Sequence, residues 1–259
     1  MTDHTHADQD EALELDSSTQ GAKANHWIGI DGCRGGWIIA WLQSDHPAQI
    51  HYTETLQPFL RKAPKQAIIL IDMILYKAGD KSPRPFDRYA KSELGKWHSR
   101  VFPAPPQEAL IAQDYLEACQ RSQSISGKKI SKQCYNLFPK MREANDPAIP
   151  SEQMLEYHPE IAFKQLNGNS IVEPSKKTEL GRSLRHKLIK HHLGHYPNAP
   201  IKPKAEKTPC PWQPDDLLDA LALALVAQNG EYKDFYQALA TSHAPSLKHI
   251  QVNENFSRA

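Results

Sequence analysis

Residues 67–74, Ala67-Ile68-Ile69-Leu70-Ile71-Asp72-Met73-Ile74, form a continuous apolar run broken only by one aspartate. A run of this length and β-branched content predicts a strand buried on both faces, so the sheet that contains it must be covered on both sides. Asp72 sits in that run, where an unpaired charge would be costly to desolvate. A second acid stands in a similar place. Asp31 ends the run His26-Trp27-Ile28-Gly29-Ile30 and opens the turn Asp31-Gly32-Cys33-Arg34-Gly35-Gly36. A second strand-like run, Trp37-Ile38-Ile39-Ala40-Trp41-Leu42, follows at once. Glycines in that turn supply the backbone freedom a tight hairpin needs.

Around these two acids the chain reads as an alternation of strands and helices. Strands are predicted over 26–31, 36–43, 49–53, 67–74 and 153–158. A short helix is predicted over 55–63, with Leu56, Phe59 and Leu60 on one face. An amphipathic helix is predicted over 178–193, with Leu180, Leu184 and Leu188 at spacing four, and a long apolar helix over 215–228. Residues 80–150 differ in texture, with eight prolines that break long elements. Helical stretches are expected there near 86–95 and 106–122. The aromatic and aliphatic content predicts an insertion or lid folded against the core, covering the site. The domain reading is therefore a polar, acidic and disordered tail over 1–24, a folded domain over 25–230 that contains the 80–150 insertion, and a C-terminal extension over 231–259. The segment 197–214 reads as a Pro-rich connector.

Composition narrows the function classes. With 259 residues, 39% hydrophobic and 24% charged, the chain reads as soluble and globular and is long enough for one large domain or two small ones. No apolar run is long enough to span a bilayer, and no signal peptide is read at the start, so a cytoplasmic location is expected. Cys33, Cys119, Cys134 and Cys210 are scattered without a CxxC pair, which argues against a zinc site or a disulfide framework. Net charge is +1, divided between −5 over residues 1–24 and +6 over the rest. Residues 175–195 carry six Lys or Arg against one Glu. A basic body permits nucleic-acid binding, where phosphate contacts dominate affinity.

The candidate chemistry rests on four carboxylates. Asp31 and Asp72 at the ends of neighbouring strands can converge, and Asp216 and Asp219 lie three apart on one helix face. Hard divalent cations such as Mg²⁺ or Mn²⁺ take oxygen ligands, and two such ions can stabilise the attacking and leaving oxygens of phosphodiester hydrolysis. The competing readings are structural. Asp31 could cap its own turn, and Asp215, Asp216 and Asp219 could serve the N-terminus of their helix. Glu156 and Glu160 flank His158-Pro159, where an acid could add a ligand or His158 could handle a proton. An ordinary polar cluster at a strand end is the alternative there. Lys176, Lys177, Arg182 and Arg185 could grip phosphate or simply form a solvated face. Arg34, beside Asp31, is better placed for phosphate. Trp37 and Trp41 read as core residues.

The order of a three-stranded meander, helix, central strand, then further strand and helix resembles the ribonuclease H-like fold. Gly29-Ile30-Asp31 with Gly36-Trp37 resembles the first hairpin of RuvC-like resolvases, and Asp216-x-x-Asp219-Ala220-Leu221-Ala222 resembles their acidic helix. Six strings in order resemble the domain-of-unknown-function family 429, described as predicted RNase H-like nucleases. They are Gly29 to Trp37, Val101 to Pro105, Tyr135 to Glu143, Glu156 to Glu160, Ser175 to Thr178 with Gly181-Arg182, and Asp215 to Ala220. Two departures stand out. The Pro-Gly turn usual after the second acidic strand is replaced by Met73-Ile74-Leu75-Tyr76-Lys77, and paired serines before Val-Phe-Pro are replaced by Ser99-Arg100.

The resemblance implies an α/β, RNase H-like mixed sheet flanked by helices, with a Pro-rich insertion. It implies Mg²⁺- or Mn²⁺-dependent cleavage of DNA or RNA, with Asp31, Asp72, Asp216 and Asp219 as ligands and Glu156 and His158 as further catalytic candidates. Lys176, Lys177, Arg182 and Arg34 would contact substrate phosphate. Two other classes compete. One is a non-catalytic nucleic-acid or protein-binding module on the same fold. The other is a phosphotransferase or ATPase of the actin-like and sugar-kinase type. The latter needs two Asp-Gly domains around its nucleotide, and this chain has a single such start.

Overall fold

The computed structural model describes residues 25–149, 153–194 and 212–242. β1 (His26–Cys33) and β2 (Gly36–Gln43) form an antiparallel hairpin, and β2 continues antiparallel to β3 (His46–Thr53). After the single-turn helix α1 (Gln57–Leu60), β4 (Ile68–Ile71) pairs parallel with the other edge of β1. β5 (Met154–Glu156) then pairs parallel with β4. The five-stranded mixed sheet has the order β3-β2-β1-β4-β5. With helices on both faces this is an α/β fold, consistent with an RNase H-like fold.

Alternation along the strands sorts side chains into two cores. Ile28, Ile30, Trp37, Ile39, Ile69 and Ile71 face one layer, made by α1, α3 (Tyr115–Ser126), α4 (Lys132–Asn136) and α5 (Phe138–Ala144). Cys33, Ile38, Ala40, Leu42 and Leu70 face the other. That layer holds α2 (Pro85–Leu94), α6 (Pro159–Leu166), α7 (Glu179–Leu193), α8 (Pro214–Asn229) and α9 (Tyr232–Ser242). α8 is buried without interruption from Leu217 to Ala227, as expected of a helix apolar all round. It sits directly on β1. A Cβ at Gly29 would lie 1.9 Å from the Ala220 carbonyl oxygen and 2.5 Å from the Ala224 nitrogen. Only a residue without a side chain permits that approach.

The 80–150 segment serves both layers. Ala90, Leu94 and Val101 join the α8 core, while Ala109 to Ile149 join the opposite one. The chain passes between them across the end of the sheet at which β1 and β4 finish. The helix expected over 106–122 is divided. A 3₁₀ turn at Gln107–Ile111 precedes α3, whose N-cap Asp114 accepts from Glu117 N–H at 2.8 Å. The strand expected over 153–158 is shorter, because Pro159 starts α6 at its first position, where proline suits a helix. The C-terminal extension expected from 231 begins as part of the core, since Phe235, Tyr236 and Leu239 of α9 are buried. The acidic tail over 1–24, the residues after 242, Cys210 and most of the 197–214 connector lie outside the described residues. Among the described residues no helix is long and apolar enough to cross a membrane.

Candidate functional site

Strand register brings the first two acids together. β1 and β4 are parallel with Ile30 opposite Ile71, so the next step along each places Asp31 beside Asp72. The Asp72 N–H donates to Ile30 O at 2.9 Å, which continues the ladder to that point. Alternation sends both side chains to the α8 face. The seat of α8 on Gly29 then brings Asp219, the neighbour of Ala220, to the same place. Asp31 and Asp219 are 6% and 1% exposed, so water does little to screen them.

The electrostatics follow from that crowding. Burial, with Asp72 and Asp219 adding to it, pushes the Asp31 carboxyl well above the usual carboxylate range. Burial raises Asp72 to about 6 even though Lys176 lowers it, and a hydrogen bond from Asp31 stabilises its anion. Asp31 is therefore the acid that keeps a proton when no cation is present. Burial raises Asp219 to about 7 against the pull of Lys176, with Asp72 and Glu160 adding. The Lys176 ammonium donates to Asp219 Oδ2. Burial works against the Lys176 charge, but Asp219, Asp31 and Asp72 outweigh it and hold the ammonium protonated.

The fourth expected ligand is not part of this group. Asp216 Oδ2 accepts the Gln213 N–H at 2.7 Å and caps its own helix. Cap chemistry at this helix start competes with the metal reading for Asp215, Asp216 and Asp219, with Asp215 the expected cap, and it is Asp216 that carries it. The unsatisfied N–H groups of the first turn compete for its carboxylate. Burial and Asp215 raise its pKa, and Asp216 acts on Asp31 only as a minor influence.

Glu156 also has a structural partner. Its oxygens accept from Arg84 at 2.7 and 2.8 Å and from Leu75 N–H at 2.9 Å, and Arg84 also binds Asp87 at 2.6 Å. His158 is the N-cap of α6. Its Nδ1 accepts the Glu160 N–H at 3.2 Å, so Nε2 carries the hydrogen and donates to Arg100 O at 3.2 Å. Both ring nitrogens are used, and burial lowers its pKa. That leaves His158 neutral and poorly placed to exchange protons with a substrate.

Glu160 bridges Arg185, at 2.8 and 2.9 Å, and Arg100, at 2.8 Å. Neither of these arginines was assigned this role by sequence reasoning, because the partners are far apart in the chain. Lys140 was missed as well. It donates to Gly36 O, lies over the Trp37 ring at 4.5 Å, and reaches Asp31 and Asp216 electrostatically. Only its place in the Tyr135 to Glu143 string marked it. Of the expected phosphate contacts, Lys177 is exposed beside Lys176 on the cleft, and Arg34 is exposed in the β1–β2 turn. Arg182 donates to Lys177 O at 3.0 Å, which ties it to the loop.

Asp31 and Asp72 open on a cleft of about 500 Å³. Its walls come from Ser99–Pro103, from Gln133 to Met141, from the segment after β5, and from Ser175–Lys177. Phe102, 45% exposed, lines it.

Among the described residues no three His, Cys, Asp or Glu side chains are arranged to hold a metal ion as they stand. Lys176 has taken Asp219, and Asp216 is turned to its cap. Asp31 and Asp72 remain, two carboxyls in hydrogen-bond contact that a shared cation would draw together in place of the proton. Such a pair fits Mg²⁺, which keeps several waters and binds through one or two carboxylates with substrate phosphate.

Neither the comparison with curated proteins nor that with solved structures gave a match. A family model described as "Protein of unknown function (DUF429)" matches residues 29–240, which takes in the sheet from Gly29 onward and reaches into α9. The chain therefore belongs to the DUF429 family, whose function is unknown.

Proposed function

We propose that this protein is a Mg²⁺- or Mn²⁺-dependent nuclease that hydrolyses phosphodiester bonds of DNA or RNA. One observation carries the reading. Three carboxyls, Asp31 and Asp219 buried and Asp72 half-buried, meet at the end of two parallel strands with the Lys176 ammonium bonded to one of them, and Asp31 and Asp72 open on a cleft. Carboxylates desolvated and short of positive charge are satisfied by a proton or by a cation from outside. The RNase H-like sheet supports the same reading, since it puts the acids at a shared strand end.

In this proposal Asp31 and Asp72 hold the ion. When bound, it lowers the pKa of a water and neutralises phosphate charge. The protein's own groups do the rest. Lys176 and Lys177 face the cleft and attract the phosphate backbone. The exposed ring of Phe102 offers a base a stacking surface, which tolerates any sequence. Glu156, His158 and Glu160 fasten the surrounding loops and move no proton.

Metal-dependent cleavage of single- and double-stranded DNA and RNA tests the proposal, with Asp31→Asn alongside wild type. A carboxamide keeps the size of the side chain and loses the anion. The variant should lose activity by at least about 100-fold. Without metal it should melt at the wild-type temperature or above, and it should lose the stabilisation by Mg²⁺ or Mn²⁺ that wild type shows. A wild-type melting temperature indifferent to both ions, with no cleavage of any substrate, rejects the nuclease. A sharp drop in metal-free stability would instead make Asp31 a turn cap. The non-catalytic binding module is favoured by one observation, that Lys176 already satisfies Asp219 without a metal.

A further inference from the structure

Lys176 is not a stray surface side chain that happens to reach an acid. The loop carrying it is fastened along its length. Arg100 donates to Val172 O at 3.0 Å and to Glu173 O at 2.5 Å. Arg185, fully buried in α7, donates to Pro174 O at 2.8 Å. Glu160 lies between these two guanidiniums and holds both. Beyond the lysine, Thr178 bonds Ser175 O through its N–H at 2.9 Å and its hydroxyl at 2.8 Å, and its Oγ1 caps α7. The loop also lies flat on α7. A Cβ at Gly181 would meet Ser175 O at 2.0 Å, so only glycine allows the contact. Four separate devices thus fix the residue whose ammonium enters the carboxylate group.

The charge count at that group says what the ammonium does. Ionised, Asp31, Asp72 and Asp219 carry three negative charges, and Lys176, the ammonium bonded to the group, offsets one, while Lys140 acts on Asp31 from its bond to Gly36 O. One divalent ion closes the balance, whereas two would leave a surplus of two positive charges. Asp219 is itself taken by Lys176, so the oxygens free to reach a metal are those of Asp31 and Asp72.

We propose that Lys176, held on Asp219, stands where a second divalent ion would otherwise stand, so that the centre takes one metal ion and one lysine. This rests on the nuclease reading of the same site and corrects its two-ion form. Lys176 then supplies a fixed positive charge to a non-bridging or leaving oxygen of the scissile phosphate. A preorganised charge of this kind stabilises the charge that develops in the transition state and needs no reorganisation when the reaction occurs.

Calorimetric titration of Mn²⁺ into the full chain tests this, with wild type, Lys176→Met, Lys176→Arg and Asp31→Asn each checked for a native melt. Wild type should bind one ion, and Asp31→Asn none. Lys176→Met keeps the stem and removes the charge. It should bind Mn²⁺ at least about tenfold more tightly than wild type, because Asp219 becomes free to serve the ion. Its cleavage rate at saturating metal should nevertheless fall by about 100-fold, the loss expected for one charged group at the transition state. Lys176→Arg should restore wild-type metal affinity within about threefold, since the positive charge is kept. It also keeps the test sound if the methionine variant fails to fold.

Tighter metal with slower cleavage is a result that a purely structural lysine would not give. Two ions bound by wild type, or a Lys176→Met affinity equal to wild type, would overturn the lysine proposal and leave the metal-dependent nuclease standing. A wild type that binds no ion would overturn both.

Discussion

Replacing Gly29 by alanine tests how the site is built. The added Cβ would lie 1.9 Å from Ala220 O, 2.5 Å from Ala224 N and 2.9 Å from Leu223 Cβ. Carbon contacts are comfortable from about 3.5 Å, so α8 must retreat from β1 by roughly 1.5 Å. Two of the obstructing atoms belong to the helix backbone, so no side-chain rotation relieves them. α8 is buried from Leu217 to Ala227 and cannot shift without disturbing the helices packed on it. Overpacking typically costs about 1–3 kcal/mol, and a backbone clash of this depth belongs at the upper end, about 3 kcal/mol. For a chain of this size that lowers the melting temperature by about 6–12 °C. The same retreat draws Asp219 and its bound Lys176 away from Asp31 and Asp72. A misplacement of about 1 Å can cost about 100-fold in rate. Gly32→Ala is the control. Its Cβ meets Lys140 Cδ at 3.0 Å, the middle of a flexible side chain, with Lys140 Cε and Met73 Cε at ordinary contact distance, so the cost should stay below about 1 kcal/mol. Thermal melts and Mn²⁺ titrations of both variants decide the matter. A Gly29→Ala protein that melts within about 2 °C of wild type and binds metal normally would refute the seating of α8 on β1 as the device that places Asp219.

Two further outcomes follow from the site. His158→Asn should keep the α6 cap, cost about 1 kcal/mol through the lost bond to Arg100 O, and leave the pH profile of cleavage unchanged, because asparagine also caps a helix and burial holds His158 toward its neutral form. Loss of a titration near pH 6.5 in that variant would return His158 to a proton-transfer role. Asp72→Asn should gain metal-free stability relative to wild type as pH rises from about 4 to 7. The sign comes from a folded pKa raised from 3.8 to about 6. A carboxyl of that kind contributes stability that is fully present below its unfolded pKa and lost as pH rises through the folded one. Asparagine has nothing to lose, and parallel urea titrations of the two proteins at several pH values would show a constant difference if the argument were wrong.

The sequence made some of this site legible and hid the rest for physical reasons. Asp31 and Asp72 could be read because a period of two and an apolar run fix which strand end each acid occupies. Asp219 could be read because it lies inside a helix too apolar to be exposed. Asp216 was misplaced with it. Residues three apart do share a helix face, but in the first turn the bare N–H groups claim a carboxylate before any ligand does. Lys176 was recognised as a cation for phosphate, yet its bond to Asp219 spans 43 residues and has no local trace. The same holds for Arg84 with Glu156, 72 residues apart, and for Arg185 with Glu160, 25 apart. Two helices, α5 and α6, have no trace in the sequence reading because proline counts there as a breaker. Pro139 and Pro159 stand in their first turns, as Pro85 and Pro214 do in the expected helices α2 and α8, where a missing N–H costs nothing.

These partners separate the acids that build the site from those that remain available in it. Glu156 meets Arg84 through both oxygens and also holds Leu75, so it fixes the chain just after β4. Glu160 meets two arginines and, through them, the loop that carries Lys176. Replacing buried ion pairs by apolar residues is often neutral or stabilising, so such pairs are weak evidence for stability. What they do here is set where loops lie, and both sets border the same cleft. Asp219 is intermediate: its single ammonium offsets one charge and leaves its neighbours uncompensated. Asp31 is at the far end of the series. Its hydrogen-bond partner is another carboxylate, and its acidic neighbours Asp72 and Asp219 act on it more strongly than Lys176 does. A carboxylate gripped by a guanidinium is already satisfied. One whose nearest companion is a second carboxylate is satisfied only by a proton or by a cation from outside. In a cleft that also presents Lys176 and Lys177, a metal ion that arrives with an anionic substrate meets both needs at once.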